Sequence, residues 1–252
     1  MFWKKILMVF LIVFSLESLS LAGQEEKKEI KSTNIVVMGD SLADGIWMIL
    51  REKVKGNKEI KLTRYTKVSS GICRIDFYNW VEKTRELFKK QKVDILIIFI
   101  GGNDKQSFRL ASKTWVHYNQ KQDWILAYAK RAMEIKDIIE KNKPYVFWVG
   151  LPSMRSKPMN DHALRVNSIY KSLEDEDRFR YISIWDLTTD EKGLYQASRK
   201  NEKGVSKGLR SGDGVHFSTF GNALVTDRVY QEVIKIINWK KIEPEILSKI
   251  FK

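Results

Sequence analysis

The sequence predicts an α/β domain: a five-stranded parallel sheet covered by helices on both faces. Apolar, β-branched runs alternate along the chain with stretches of helical period, the order that parallel strands joined by crossover helices require. The clearest run, residues 93–100, is apolar almost throughout instead of alternating, as a strand buried on both faces must be. At 252 residues the chain is long enough for one such domain with a large core. No internal repeat, low-complexity insert or Pro/Ser-rich linker divides it.

The strands fall at 35–38, 60–66, 93–100, 145–150 and 181–185. A helix over 42–54 follows the first of them. The next is expected over 76–91, with Asp76 as N-cap and an apolar stripe of Phe77, Trp80, Val81, Leu87 and Phe88. Further helices are expected over 123–142 and 160–173, and a last one over 219–238, where Val225, Val229, Val233, Ile236 and Ile237 share a face. In the tail, apolar residues at 242, 246, 247, 250 and 251 suit a short helix started by Pro244 and packed back on the domain. Two segments, 105–121 and 186–212, look irregular. Both leave the sheet near strand C-termini, where doubly wound folds build their sites, and so form the walls of a cleft.

The N-terminus reads differently. Met1-Phe-Trp-Lys-Lys5 is basic, residues 6–16 are nearly all apolar, and Ser20-Leu-Ala22 places small residues where a signal peptidase reads them. The apolar stretch is shorter than the roughly 20 residues of a membrane span. A cleaved signal peptide over 1–22 is expected in preference to an uncleaved anchor, followed by a charged linker over 23–32 and the domain over 33–252. The protein is then exported, to the periplasm or beyond, with no integral span after cleavage. No cysteine near the cleavage point suggests a lipoprotein anchor.

The single cysteine, Cys73, allows no intrachain disulfide and lacks the companions of a structural zinc site, so it is read as a small packed residue. The net charge of +14 is spread along the chain with acidic residues interleaved, the pattern of solvated helix faces. No nucleic-acid-binding signature accompanies it, and no nucleic-acid partner is expected. The charge suits attraction to anionic wall polymers or membrane surfaces instead. HExxH, P-loop and GxGxxG motifs are missing, there is no GxSxG elbow of the α/β-hydrolase type between a strand and a helix, and neither metal nor cofactor is expected.

The chemistry-bearing residues lie in four short blocks. Gly39-Asp-Ser-Leu42 sits where the first strand gives way to a helix, so Ser41 points off the sheet at a helix N-terminus. A serine hydroxyl needs a base to take its proton and a third group to hold that base. Of three histidines, His216 stands three residues after Asp213 in a Gly-containing segment, Asp213-Gly-Val-His216, where both side chains can turn towards one cleft. His117 and His162 are read as surface or substrate-rim residues. Gly71, in Val68-Ser-Ser-Gly71, permits close backbone approach, and Asn103, in Gly101-Gly-Asn-Asp104, can donate hydrogen bonds without carrying charge. Singly, each of these also fits an ordinary turn or capped loop. Asp40 and Asp104 are read as carboxylates that shape their loops.

In this order the blocks resemble the SGNH (GDSL-type) hydrolases, named for the Ser, Gly, Asn and His of their sequence blocks. The resemblance covers nearly the whole chain after residue 32. It implies a three-layer α/β/α flavodoxin-like fold and hydrolysis of O-acyl esters through an acyl-serine. Ser41 would be the nucleophile, His216 the base and Asp213 its orienting carboxylate. The oxyanion hole would comprise the Ser41 and Gly71 amides and the Asn103 side chain. Five stretches, 70–76, 102–106, 148–155, 210–217 and the set Trp124, Tyr128 and Arg131, resemble an exported bacterial branch of that family. Arg74, Arg155 and Arg210 adjoin these blocks and either bind an anionic or sugar group or make structural ion pairs. Export and basic charge favour an O-acetylated envelope polysaccharide as substrate. An O-acyltransferase with the same residues, a lipase or lysophospholipase, and a non-catalytic glycan-binding module are the alternatives.

Overall fold

The strands that are apolar on both faces take the centre of the sheet, and the one that alternates takes an edge. The computed structural model describes residues 32–175 and 177–250, with side chains described as far as residue 238. The elements, in chain order, are β1 (Thr33–Gly39), α1 (Ser41–Lys53), β2 (Ile60–Thr66), α2 (Trp80–Lys90) and β3 (Ile95–Phe99). A hairpin of β4 (Phe108–Arg109) and β5 (Trp115–Val116) leads to α3 (Lys121–Glu140), β6 (Tyr145–Val149) and α4 (Lys157–Ser172). Then come β7 (Phe179–Ile182), α5 (Trp185–Thr188), a second hairpin of β8 (Ser198–Lys200) and β9 (Ser206–Gly208), and α6 (Thr219–Ile250).

The main sheet has the order β2-β1-β3-β6-β7 and is parallel throughout. All five residues of β3 are buried, whereas edge strand β2 is partly exposed along its length. From β1 the chain steps outward to β2, then returns past β1 to β3 and continues the other way. Right-handed crossovers therefore put α1 on one face and α2, α3 and α4 on the other. The packing agrees: α1 meets α6, α2 meets α3, and α3 meets α4. The reversal leaves a crevice at the carboxyl ends of β1 and β3, which are in register at Gly39 and Phe99. From Ser32 onward the chain is one compact unit.

Several expectations shift. Helix α2 begins at Trp80, not residue 76: Asn79 is the cap, accepting from the Val81 amide, and residues 71–78 are used in turns closed by Arg74 N–H to Gly71 and Tyr78 N–H to Arg74. Phe77, expected on the apolar stripe, is consequently exposed. Strand β7 begins at Phe179, because Asp175 Oδ1 accepts from the amides of Asp177, Arg178 and Phe179 and turns the chain into the sheet early. Trp185, expected to end that strand, instead opens α5. Both segments expected to be irregular contain hairpins. Helix α6 runs on past Pro244 to Ile250, so no separate tail helix begins there. The signal-peptide reading and the linker up to residue 31 fall outside the described residues. Among the described residues no helix is long and apolar enough to cross a membrane.

Candidate active site

Three loops meet at the carboxyl end of the sheet, and each is held by a buried carboxylate or an aromatic hydroxyl. The first is the β1–α1 turn. Gly39 has φ of 147°, and a Cβ there would stand 1.9 Å from the Phe99 carbonyl oxygen, so only glycine lets β1 end this close to β3. Asp40 follows as the N-cap of α1: its Oδ1 accepts from the Leu42 amide at 2.9 Å and its Oδ2 from the Gly101 amide at 3.1 Å. One side chain thus fixes the start of α1 and ties it to the loop after β3. Burial pushes Asp40 up to about 7, with the charge of Asp104 adding to the rise. The next residue, Ser41, stands at the helix N-terminus, half-buried.

The second and third loops, after β2 and β3, are joined by Asp104. Its Oδ2 accepts from the Ile72 amide and the Tyr128 hydroxyl, and its Oδ1 from the Cys73 amide, each at 2.9 Å. A Cβ on Gly71 would lie 2.0 Å from Asp104 Oδ1, so the carboxylate fills the space a side chain would need. Burial pushes Asp104 up to about 6. The Asn103 side-chain amide donates to the Ser70 carbonyl at 2.9 Å, which binds the two loops again and leaves its second N–H for another acceptor. Among the described residues the Ser41 and Gly71 amides have no acceptor.

The fourth block closes the site. Ser41 Oγ lies 2.8 Å from His216 Nε2, and His216 Nδ1 lies 2.6 Å from Asp213 Oδ2. Asp213 Oδ1 accepts from the amides of Val215 and His216 at 2.8 and 2.9 Å. Burial alone would raise Asp213, but the hydrogen bonds from the His216 ring and those two amides outweigh it and bring the carboxyl down to about 2. An ionised Asp213 at Nδ1 places the ring proton there and leaves Nε2 free to accept from Ser41. Asp213 and His216 are nearly half exposed, at 47% and 45%, so the dyad opens to solvent. Among the described residues no cluster of His, Cys, Asp and Glu is suited to a metal ion.

The three arginines divide. Arg210 is buried, and its guanidinium donates to the carbonyls of Ser153 at 2.7 Å, Gly214 at 3.4 Å and Val215, with the Phe217 ring beneath it at 4.6 Å. Burial pushes it down to about 10. It braces the loop that carries Asp213 and His216 and has no free face for a ligand; that corrects its reading as a substrate contact. Arg155 is exposed, donates to the Gly212 carbonyl at 2.9 Å and stands over Tyr195. Arg74 pairs with Asp76 at 3.6 Å and covers Phe77.

His117 is exposed, but His162, read as a surface or rim residue, is fully buried: Nε2 lies 3.0 Å from the Gly101 carbonyl and Nδ1 3.3 Å from the Tyr118 hydroxyl. Burial pushes it down to about 4, so at neutral pH it is an uncharged prop beneath the Gly101 loop. Sequence reasoning also left Trp124, Tyr128 and Arg131 without roles. On one face of α3 they donate to the Gln106 carbonyl, to Asp104 and to the Ile72 carbonyl, and so hold both loops. Their spacing of four and three residues was the available signal: three polar tips in one helical stripe.

The family described as "Protein of unknown function (DUF459)" matches residues 34–232. No curated protein matches the chain in sequence. Among solved structures, a GDSL-like lipase from Bacteroides thetaiotaomicron superposes with a TM-score of 0.56 at 14% identity, covering 81% of this chain and 89% of that one. The psychrotrophic esterase EstA from Pseudoalteromonas sp. gives 0.54 at 11% identity, covering 82% and 100%. An acetyl xylan esterase gives 0.52 at 14% identity, covering 79% and 99%. At these identities the likeness is one of fold, and the fold is the flavodoxin-like one of the SGNH hydrolases.

Proposed function

The chain belongs to the DUF459 family, and within it we propose that this protein is an exported serine esterase acting on O-acyl, chiefly O-acetyl, esters of a cell-envelope polysaccharide. The single observation behind this reading is the unbroken chain from Ser41 Oγ through His216 to Asp213. In the reaction, His216 Nε2 takes the Ser41 proton as Oγ attacks the ester carbonyl. The oxyanion that forms is met by the Ser41 and Gly71 amides and the spare N–H of Asn103. His216 returns the proton to the departing sugar hydroxyl, leaving an acyl-serine. Water then attacks that acyl group, giving its proton to His216 Nε2, which passes it to Ser41 Oγ as the acyl–Oγ bond breaks and the free acid leaves. Asp213 stays ionised throughout and holds the ring.

The exposure of Asp213 and His216 favours water as the final acceptor over the excluded-water pocket that sugar acylation would need. It also suits a polymer, which must lie across an open cleft. The test is release of acetate from an O-acetylated polysaccharide by the protein and by Ser41→Ala. Release that depends on Ser41 supports hydrolysis. Acylation of Ser41 from an activated ester without release of acid would move the reading to an acyltransferase. An active Ser41→Ala protein would end it.

A further inference from the structure

The β4–β5 hairpin has two unlike faces. Phe108 and Val116 point inward and are buried, Phe108 meeting Trp124 edge-on with ring centroids 6.2 Å apart. The outward face carries Arg109 and Trp115, which are cross-strand partners, and His117 two residues on. The Arg109 guanidinium lies 5.7 Å from the Trp115 ring centroid, and the His117 ring lies 6.4 Å away at an interplanar angle of only 16°. Three flat groups stand side by side. Trp80, Trp124 and Trp148 are fully buried, yet Trp115 is 53% exposed, on a hairpin whose inner face is locked into the core.

The hairpin is also fastened to the reaction centre. Gln106, at its root, donates to the Asn103 carbonyl at 2.7 Å and accepts from the Trp124 indole at 2.8 Å. It leaves the sheet from β3, whose carboxyl end is in register with that of β1, just before Ser41.

We propose that Trp115, flanked by Arg109 and His117, is a subsite for an anionic sugar ring of the polymer whose esters the site cleaves. The chemical fit is direct. One face of a pyranose presents C–H groups that pack on an indole, as other apolar surfaces do. A carboxylate or other anionic substituent on the ring is met by Arg109, a planar donor fork already alongside. Lys105, two residues after Asn103 and with its ammonium over Tyr118, adds positive charge at the root of the hairpin. The identity of the polymer as substrate rests on the esterase reading; its binding does not.

Affinity electrophoresis of the full chain through gels containing polygalacturonate, neutral xylan or no polymer tests this without relying on hydrolysis. Polygalacturonate is expected to retard the protein far more than xylan does. Trp115→Ala should weaken that binding about tenfold and Trp115→Phe much less, as loss and retention of a flat ring would do. Arg109→Gln should weaken it about threefold and reduce its salt dependence. Lys58→Gln, an exposed charge at the opposite end of the sheet, should leave it unchanged. Thermal midpoints report whether each variant is folded. Equal binding by Trp115→Ala, equal retention by xylan, or equal losses in Lys58→Gln and Arg109→Gln would overturn the proposal. So would a Trp115-dependent attachment to phosphatidylglycerol vesicles without retention by polygalacturonate. Ser41-dependent cleavage of p-nitrophenyl acetate, measured alongside, reads the esterase assignment separately.

Discussion

Replacing Arg210 by methionine separates two roles that the sequence alone left open. Methionine keeps much of the stem packing against Phe217 but removes every hydrogen bond to the Ser153, Gly214 and Val215 carbonyls. Hydrogen bonds to a charged donor are worth about 1.5–3 kcal/mol each, and two of these three are short. Relief of the guanidinium's own burial cost offsets part of that, leaving a net loss of about 2–4 kcal/mol. For a domain of this size that lowers the thermal midpoint by roughly 5–15 °C. The Asp213–His216 loop then loses its brace to the segment after β6, and displacement of a base by an ångström costs on the order of 10²-fold in rate. Steady-state hydrolysis of p-nitrophenyl acetate at a temperature where the variant is folded should therefore show kcat falling about 10- to 100-fold with KM little changed. A variant that melts like the parent protein and differs only by a raised KM would refute the bracing role and restore Arg210 to the substrate.

Three further outcomes follow from the same geometry. Asn103→Ala, which deletes one oxyanion donor and the link to the Ser70 carbonyl, should cost on the order of 10²–10³ in kcat; a loss confined to KM would contradict it. Gly71→Ala drives a methyl against Asp104 Oδ1, a carboxylate pinned by two amides and a tyrosine, and should cost about 1–3 kcal/mol by denaturant unfolding together with most of the activity. Asp40 and Asp104 have folded values of about 7 and about 6 against an ordinary 3.8, so the native state keeps protons that the unfolded chain has already lost. Buried His162, held down to about 4, works the other way between about pH 4 and 6.5, but the two carboxyls together outweigh it. Stability should therefore still fall from about pH 4 to about 7 and level off above; a denaturation midpoint that climbs over that window would contradict it.

What could be read from the sequence was local. Val93 to Ile100 announced a central strand by composition, and Asp213-Gly-Val-His216 carried its own carboxylate and imidazole three residues apart, so no fold was needed to pair them. Ser41 was legible because a strand pattern stops and a helix pattern starts around it. The rest was set by contacts between distant residues. Arg210 reads as a substrate contact or a member of an ion pair until Ser153, 57 residues earlier, is brought against it. His162 sits in a helix whose inward side is known only when α4 is laid on the sheet. The start of α2 was missed because Asp76 and Asn79 are both good caps, and the turns closing on Gly71 and Arg74 decide between them. The platform at Trp115 depends on a two-residue strand pair, too short to leave a periodic signal.

The central claim is that Ser41 forms a covalent acyl intermediate with His216 as its base. Mixing the full chain with p-nitrophenyl acetate, quenching in acid and mapping peptides by mass spectrometry tests it most directly. One acetyl group on the peptide containing Ser41 is expected, absent from Ser41→Ala and accumulating slowly in His216→Ala. Acetylation elsewhere, or turnover with no acetyl-Ser41 and full activity in Ser41→Ala, would contradict it.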